Sequence, residues 1–378
     1  MNRTGMVLLE FDPNLNVLGQ KKRLWDGLSA VVRVGDALWV ANDETLNLER
    51  LTRQRSAGDG AVRFADHRRF PLSDFLPLPI PPDAVQTDGK IKEADLEGLD
   101  YRDGYLWLVG SHSLKRGQPE AEDSAAKNRK RLAKVSRDGN RFLLARIPLA
   151  EATQTLERTV DQDGHRRTAA RLQGDAHGNA LTEALATDPH LGPFMALPGK
   201  DNGFDIEGLA VVNDRLFVGL RGPVLRGWAV LLELAAAAQD AATLTLKPIG
   251  PEGQPYRKHF LNLNGRGIRD LCVYGSGLLI LAGPTSSLPG PMAIFRWPGG
   301  AQPDQEALVF NEALPKVLQL PFSRRQHAGQ DQAEGLALFT PDDDPERQVL
   351  VMYDATARRR QRKPNAVEAD LFALPERG

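Results

Sequence analysis

The chain has a single cysteine, Cys272, in 378 residues. It can therefore form no intramolecular disulfide, no cysteine-based zinc site and no iron–sulfur cluster. No window approaches 18 apolar residues, so no membrane-spanning helix is expected. The opening run, Met1 to Leu9, is too short for a signal peptide, and Glu10 and Asp12 end it, which points to a cytoplasmic protein. Neither sign of charge dominates. Lys and Arg number 48 against 49 Asp and Glu, for a net charge of −1, which argues against a generally basic nucleic-acid binder. The common site motifs are also missing: there is no phosphate-binding P-loop, no Gly-x-Gly-x-x-Gly, no His-Glu-x-x-His and no Gly-x-Ser-x-Gly. Asp161-Gln162-Asp163-Gly164 starts like a calcium loop but lacks the later ligands. No nucleotide cofactor is expected.

What is present is repetition. Glycine (35) and proline (26) are plentiful enough to mark many turns. One pattern recurs: an apolar strand, a tight polar turn, then a second apolar strand. Its lead residues are Ser29, Glu97, Glu207, Arg269 and Glu334. In the first four copies a leucine falls nine residues later, at Leu38, Leu106, Leu216 and Leu278. Asp-Gly and Asn-Asp at the turns suit hairpins, and further strand-like runs follow each pair. Units of about four antiparallel strands with little helical periodicity predict an all-β fold, a single β-propeller over residues 1–378. Five repeats are recognisable and a sixth blade is conceivable. A pair of β-sandwiches is the rival architecture.

The long gap between Glu97 and Glu207 holds a different pattern. Leu149, Thr153, Leu156 and Val160 step at helical spacing, as do Leu181 and Leu185 behind a capping Asn179. A helix-containing insertion over 150–203 is expected. The N-terminal run Met6–Phe11 belongs to no unit and should complete the last blade, putting Val7 and Leu371 together. The basic runs Lys127–Arg131 and Arg358–Lys363 read as solvated loops.

In a propeller the first strand of each blade lines the channel, so the lead residues should gather at one mouth. Glu97, Glu207 and Glu334, with Asp95 and Asp205 two residues ahead, would form a ring of carboxylates. Such a ring needs Arg269, a Ca²⁺-type cation, or raised pKa values to hold it together. The loops between second and third strands share that face and bring His112, Lys115, Arg116, Arg221 and Arg226. These residues predict a metal-assisted hydrolase of a phosphorylated or other anionic small molecule. The glutamates and aspartates would bind Ca²⁺, the lysine and arginines (Arg269 included) the anion, and His112 would shuttle a proton. The alternatives are a non-enzymatic propeller that binds a protein or peptide on this face, and a lactonase.

Asp95-Leu96-Glu97-Gly98-Leu99-Asp100, Gly110-Ser111-His112-Ser113-Leu114-Lys115-Arg116, Asp205-Ile206-Glu207-Gly208-Leu209, Gly219-Leu220-Arg221-Gly222-Pro223 and Ala333-Glu334-Gly335-Leu336 together resemble a bacterial propeller family whose activity is not established. The likeness spans nearly the whole chain. More distantly, the repeated Glu-Gly-Leu is similar to esterase-like phytases and to the senescence-marker and gluconolactonase propellers. That likeness implies a metal-ligating glutamate at Glu97, Glu207 or Glu334, although leucine stands here where the gluconolactonases have proline.

Overall fold

A computed structural model describes residues 3–19, 22–54, 62–84, 93–162, 164–286, 288, 290–321, 331–339, 347–362 and 364–374. The strands fall into five antiparallel groups of four. Blade I comprises Leu28–Val34, Ala37–Asn42, Asn47–Gln54 and Val62–Pro71. Blade II comprises Leu96–Arg102, Tyr105–Gly110, Leu144–Ala150 and Ala170–Leu172. Blade III comprises Asp205–Val212, Arg215–Gly222, Ala229–Ala238 and Tyr256–Leu261. Blade IV comprises Gly267–Tyr274, Gly277–Gly283, Ala293–Trp297 and Lys316–Gln319. Blade V comprises Gln332–Phe339, Gln348–Asp354 and Ala366–Ala373, and takes the N-terminal strand Arg3–Glu10 as its fourth. Each first strand packs against the first strands of the blades before and after it, and blade V returns to blade I. The fold is therefore a five-bladed propeller, with no sixth blade among the described residues.

The core shows why. The buried apolar residues fall into five clusters, one between each pair of neighbouring blades. Side chains alternate across a strand, so a second strand feeds two clusters at once. Leu106 and Leu108 face blade I, while Trp107 and Val109 face blade III. Leu278 and Ile280 face blade III, while Leu279 and Leu281 face blade V. Strands covered on both faces read as continuous apolar runs. The recurring leucine is the residue turned toward the preceding blade: Leu38 toward V, Leu106 toward I, Leu216 toward II and Leu278 toward III.

The N-terminal strand closes the ring as expected. It pairs antiparallel with the third strand of blade V, Val7 opposite Ala369 and Gly5 opposite Leu371, and runs parallel to the outer strand of blade I. Two other outer seams use short parallel pairs, Arg171 beside Thr243 and Phe260 beside Leu308.

Three segments differ from expectation. The first basic run is no loop. It lies in a helix, α1 (Ala125–Ala133), whose N-cap is Ser124. In the second run Arg359, Arg360 and Arg362 pair with Asp331, Asp370 and Glu368. The 150–203 segment departs in its first half. Leu149 and Leu156 face each other across an antiparallel pair, and Thr159–Gln162 and His165–Thr168 form a hairpin. Of the four spaced residues only Leu149 and Leu156 enter the core, from two paired strands, while Thr153 lies exposed in the turn between them and Val160 in the hairpin. The second half does hold a helix, α2 (Ala180–Leu185), capped by Asn179 through Leu181 N (3.1 Å) and Thr182 N (3.1 Å).

Candidate functional site

The lead residue of every repeat has one structural role. In each blade the pairing of first with second strand skips one residue, and the skipped residue is Ser29, Glu97, Glu207, Arg269 or Glu334. Each is the extra residue of a β-bulge, which twists the strand and re-aims that side chain. Five bulges at one level turn five side chains into the same channel mouth. The glycine after each glutamate serves the same level. A Cβ on Gly98 would lie 2.9 Å from Leu209 N of the next first strand, and one on Gly335 would lie 3.3 Å from Val31 N. Glycine lets the first strands approach there.

All five lead residues line a cavity of about 710 Å³. The ends of second strands, with Arg221 and Asp354, and the segments that follow second strands, with Asp43, Ser113, Lys115 and Ser286, complete its walls. Among the described residues its lining holds no aromatic side chain.

Most of the charges are already matched. Arg269 lies between two glutamates, its Nε 2.8 Å from Glu207 Oε2 and 3.0 Å from Glu334 Oε2. Arg221 pairs with both Asp205 and Glu207. Arg141, absent from the sequence-based set, holds Asp95 Oδ2 at 2.9 Å and Glu93 Oε1 at 2.8 Å, and donates to Ser113 Oγ at 2.7 Å. Lys115 also pairs with Glu93. Three carboxyls lack a cation. Glu97, Asp43 and Asp354 have no ion pair among the described residues, and Asp43 Oδ1 is buried without a hydrogen-bond partner.

Burial sets the proton affinities. It raises Glu97 well above the usual carboxyl range, with Glu207, Asp95, Asp43 and Glu334 adding repulsion. Asp43 is raised well above its ordinary value by burial, then by Asp95 and Asp354. Burial lifts Asp354 to about 7, with help from Glu334. Burial also lifts Glu207 to about 8, although Arg221 and Arg269 pull it down. Asp205 is raised by burial against the opposing pull of Arg221.

Several expected site residues are placed elsewhere. His112 does not line the cavity. It is buried in a left-handed conformation (φ 55°), with Nδ1 2.8 Å from Gly110 O and Nε2 2.7 Å from Asn179 Nδ2. Burial lowers its pKa to about 4, so it is neutral and carries no proton to the mouth. Arg226 is not among the lining residues, and Asp205 stands behind Arg221. Arg116 reaches the rim but pairs with Asp201 at 2.6 Å. Each lysine and arginine expected to hold an anion, Arg226 apart, is thus engaged with a carboxylate. The Ca²⁺ expectation meets the same obstacle. Glu207, Glu334, Asp95 and Asp205 are held by arginines, and no group of three or more His, Cys, Asp or Glu among the described residues is arranged to hold a metal ion. Arg141 escaped sequence reasoning because it lies outside the repeat. Asn42-Asp43-Glu44 is expected at this face as the first copy's loop between second and third strands, but nothing in the sequence singles out Asp43 as the carboxyl without an ion pair.

No protein of curated function matches the sequence. Among solved structures the chain is similar to a glutaminyl cyclase of Myxococcus xanthus, at 12% identity over 98% of this chain and 100% of that one, with a TM-score of 0.38. A streptogramin B lyase matches at 9% identity over 97% and 98%, TM-score 0.34. A putative oxidoreductase (glucose dehydrogenase) of Thermus thermophilus matches at 12% identity over 97% and 100%, TM-score 0.36. At such scores the architecture rests on the strand pairing of this chain itself. No helix among the described residues is long and apolar enough to cross a membrane. One family model matches residues 27–370, from the threshold of blade I to the third strand of blade V, and by that match the chain belongs to the family described as protein of unknown function (DUF3616).

Proposed function

We propose that the channel mouth is a hydrolytic site that works by carboxyl acid–base chemistry on a small polar molecule bearing a positive charge or several donors. The observation that carries this reading is Glu97, a bulge residue in the cavity wall with no ion pair among the described residues and a proton affinity raised well above the ordinary carboxyl value by burial. A carboxyl whose proton affinity is raised in this way can act as an acid and give its proton to a leaving oxygen or nitrogen. Asp354, near 7, is partly ionised under the same conditions and can take a proton from the attacking water. Environments that push two carboxyls apart assign the roles of acid and base. A cationic substrate would supply the charge that Glu97, Asp43 and Asp354 lack.

A phosphorylated substrate fits less well, because Arg221, Arg269 and Lys115 already hold carboxylates. Ca²⁺ would have to displace the same arginines. The test is a thermal-shift series with small amines, inorganic phosphate and Ca²⁺, beside a hydrolysis screen of esters, lactones, amides and phosphate monoesters. Amines should raise the melting temperature while phosphate and Ca²⁺ do not. Turnover of one substrate class should fall about 100-fold or more in Glu97→Gln. Stabilisation by phosphate or Ca²⁺ that survives in Glu97→Gln would overturn the reading. A second reading, a peptide-binding propeller, draws on the exposed Leu132 and Leu288 at the rim. It would be favoured by a screen with no turnover together with peptide-dependent protection of that rim.

A further inference from the structure

One wall of the mouth differs from the rest. Between the second and third strands of blade II the chain leaves the propeller at Ser113 and returns before Asn140. This excursion contains α1, which buries none of its residues. Its stem is a two-residue ladder, Lys115 opposite Ser136 and Arg116 opposite Val135. The foot of the excursion is anchored to the body: Leu114 O accepts from Gly199 N at 3.1 Å, Lys115 pairs with Glu93 and Arg116 with Asp201. Beyond the stem the ties given for α1 and the turn before it are local: Asp123 pairs with Lys127 and Arg131, and Asn128 donates to Glu120 O. Yet the excursion lines the cavity with Leu114, Gln118, Pro119 and Leu132. Leu132 is 47% exposed and Val135 42%. These are apolar side chains left in water at the edge of a charged pocket, on an element with no core of its own. An element with few buried apolar contacts opens and shifts at little cost.

We propose that the outer part of the excursion, 117–134, is a lid that swings on this anchored two-residue stem to close the mouth, carrying Leu132 toward the blade IV rim at Ser286. Closure would bury Leu132 and Pro119, a gain of roughly 25 cal/mol per Å² of apolar surface removed from water. It would also exclude water from the unpaired carboxyls, where every charge interaction strengthens as the local dielectric falls. Arg116 is the catch of the open position. Its guanidinium bonds Leu132 O at 2.6 Å and Asp201 Oδ2 at 2.6 Å, tying the stem to the loop ahead of blade III. Blades II and IV are not neighbours in the ring, so Leu132 and Ser286 face each other across the mouth.

Disulfide trapping in the full chain tests this, with no ligand required. Leu132→Cys and Ser286→Cys are combined; both positions are exposed, so folding is not at risk. A disulfide needs Cα atoms within about 7 Å, the approach that the proposed closure would bring about. The expected result is a reductant-sensitive cross-link within minutes of mild oxidation, absent from each single variant and faster when Arg116→Ala is added. Gln118→Cys with Ser286→Cys serves as the second pair. No cross-link in either pair overturns the lid, whatever the outcome for Glu97. A cross-link with no hydrolysis in the screen would keep the lid and fail the hydrolase.

Discussion

Arg269 is the residue on which the mouth most depends. One guanidinium serves Glu207 and Glu334 together, and all three are buried. Replacing it with methionine would leave Glu334 without a cation and Glu207 with Arg221 alone, at a cost of about 3–5 kcal/mol by chemical denaturation. Adding Glu334→Gln should recover part of that loss. Lysine would be a poor substitute, since its compact ammonium lacks the planar, extended set of donors with which the guanidinium meets both carboxylates. The carboxyls also set a pH dependence of unusual sign. Asp354, near 7, and Glu207, near 8, bind protons more tightly in the folded chain than in the unfolded one. Over that window the folded state holds more protons, so stability is greatest below the unfolded carboxyl pKa and falls as pH rises toward 8. Asp354→Asn should flatten this decline and raise stability at pH 8 by about 1–2 kcal/mol relative to pH 5, measured by urea denaturation at both values.

At the scale of the element, the bulge explains why the lead residues repeat. A bulge re-aims one side chain without breaking the register of the strand that follows. Its position is bound to the close approach of neighbouring first strands, which only a glycine allows at Gly98. Gly98→Ala would press a methyl to within 2.9 Å of a backbone nitrogen and should cost about 1–3 kcal/mol. Ala at Gly227, where nothing lies within 4 Å, meets no such neighbour, so the two thermal melts should separate contact from the backbone cost of Gly227's positive φ. His112 belongs to this scale as well. With Asn179 it docks α2 onto blade II, since Asn179 caps the helix and also donates to Phe142 O at 2.8 Å. Asn179→Ala should destabilise the fold by about 1–3 kcal/mol through the lost cap and buried bonds, while leaving the mouth's carboxyls in place.

At the scale of the molecule, closure rests on one strand. Val7 and Leu9 are fully buried, and their strand joins blade V to blade I. Removal of residues 1–10 would expose the third strand of blade V as an open edge and take Val7 and Leu9 out of the cluster it shares with blade I. We expect loss of cooperative melting and aggregation. Calorimetry of the truncated and full-length chains checks this.

Five repeats, the turns of their hairpins, the leucine shared by four of the second strands and the return of the N-terminus to the last blade are all legible in the order of residues. These are local patterns of strand, turn and alternation, and each blade writes them within some tens of residues. The same order places Glu97, Glu207, Arg269 and Glu334 at one mouth, because equivalent positions in a closed ring converge. It misleads at Leu149 to Val160, which read as a helix, because residues of two paired strands, of the turn between them and of a following hairpin can together mimic a period of 3.6. Which carboxyls have partners emerges only when the blades are assembled. Arg141 lies at a position with no repeat to mark it, Asp43 sits in a repeat loop but is left without an ion pair among the described residues, His112 turns inward to Asn179, and Arg269 is consumed by two glutamates. Charge pairing is settled by distances of a few ångströms between segments far apart in the chain, and no local pattern carries that information.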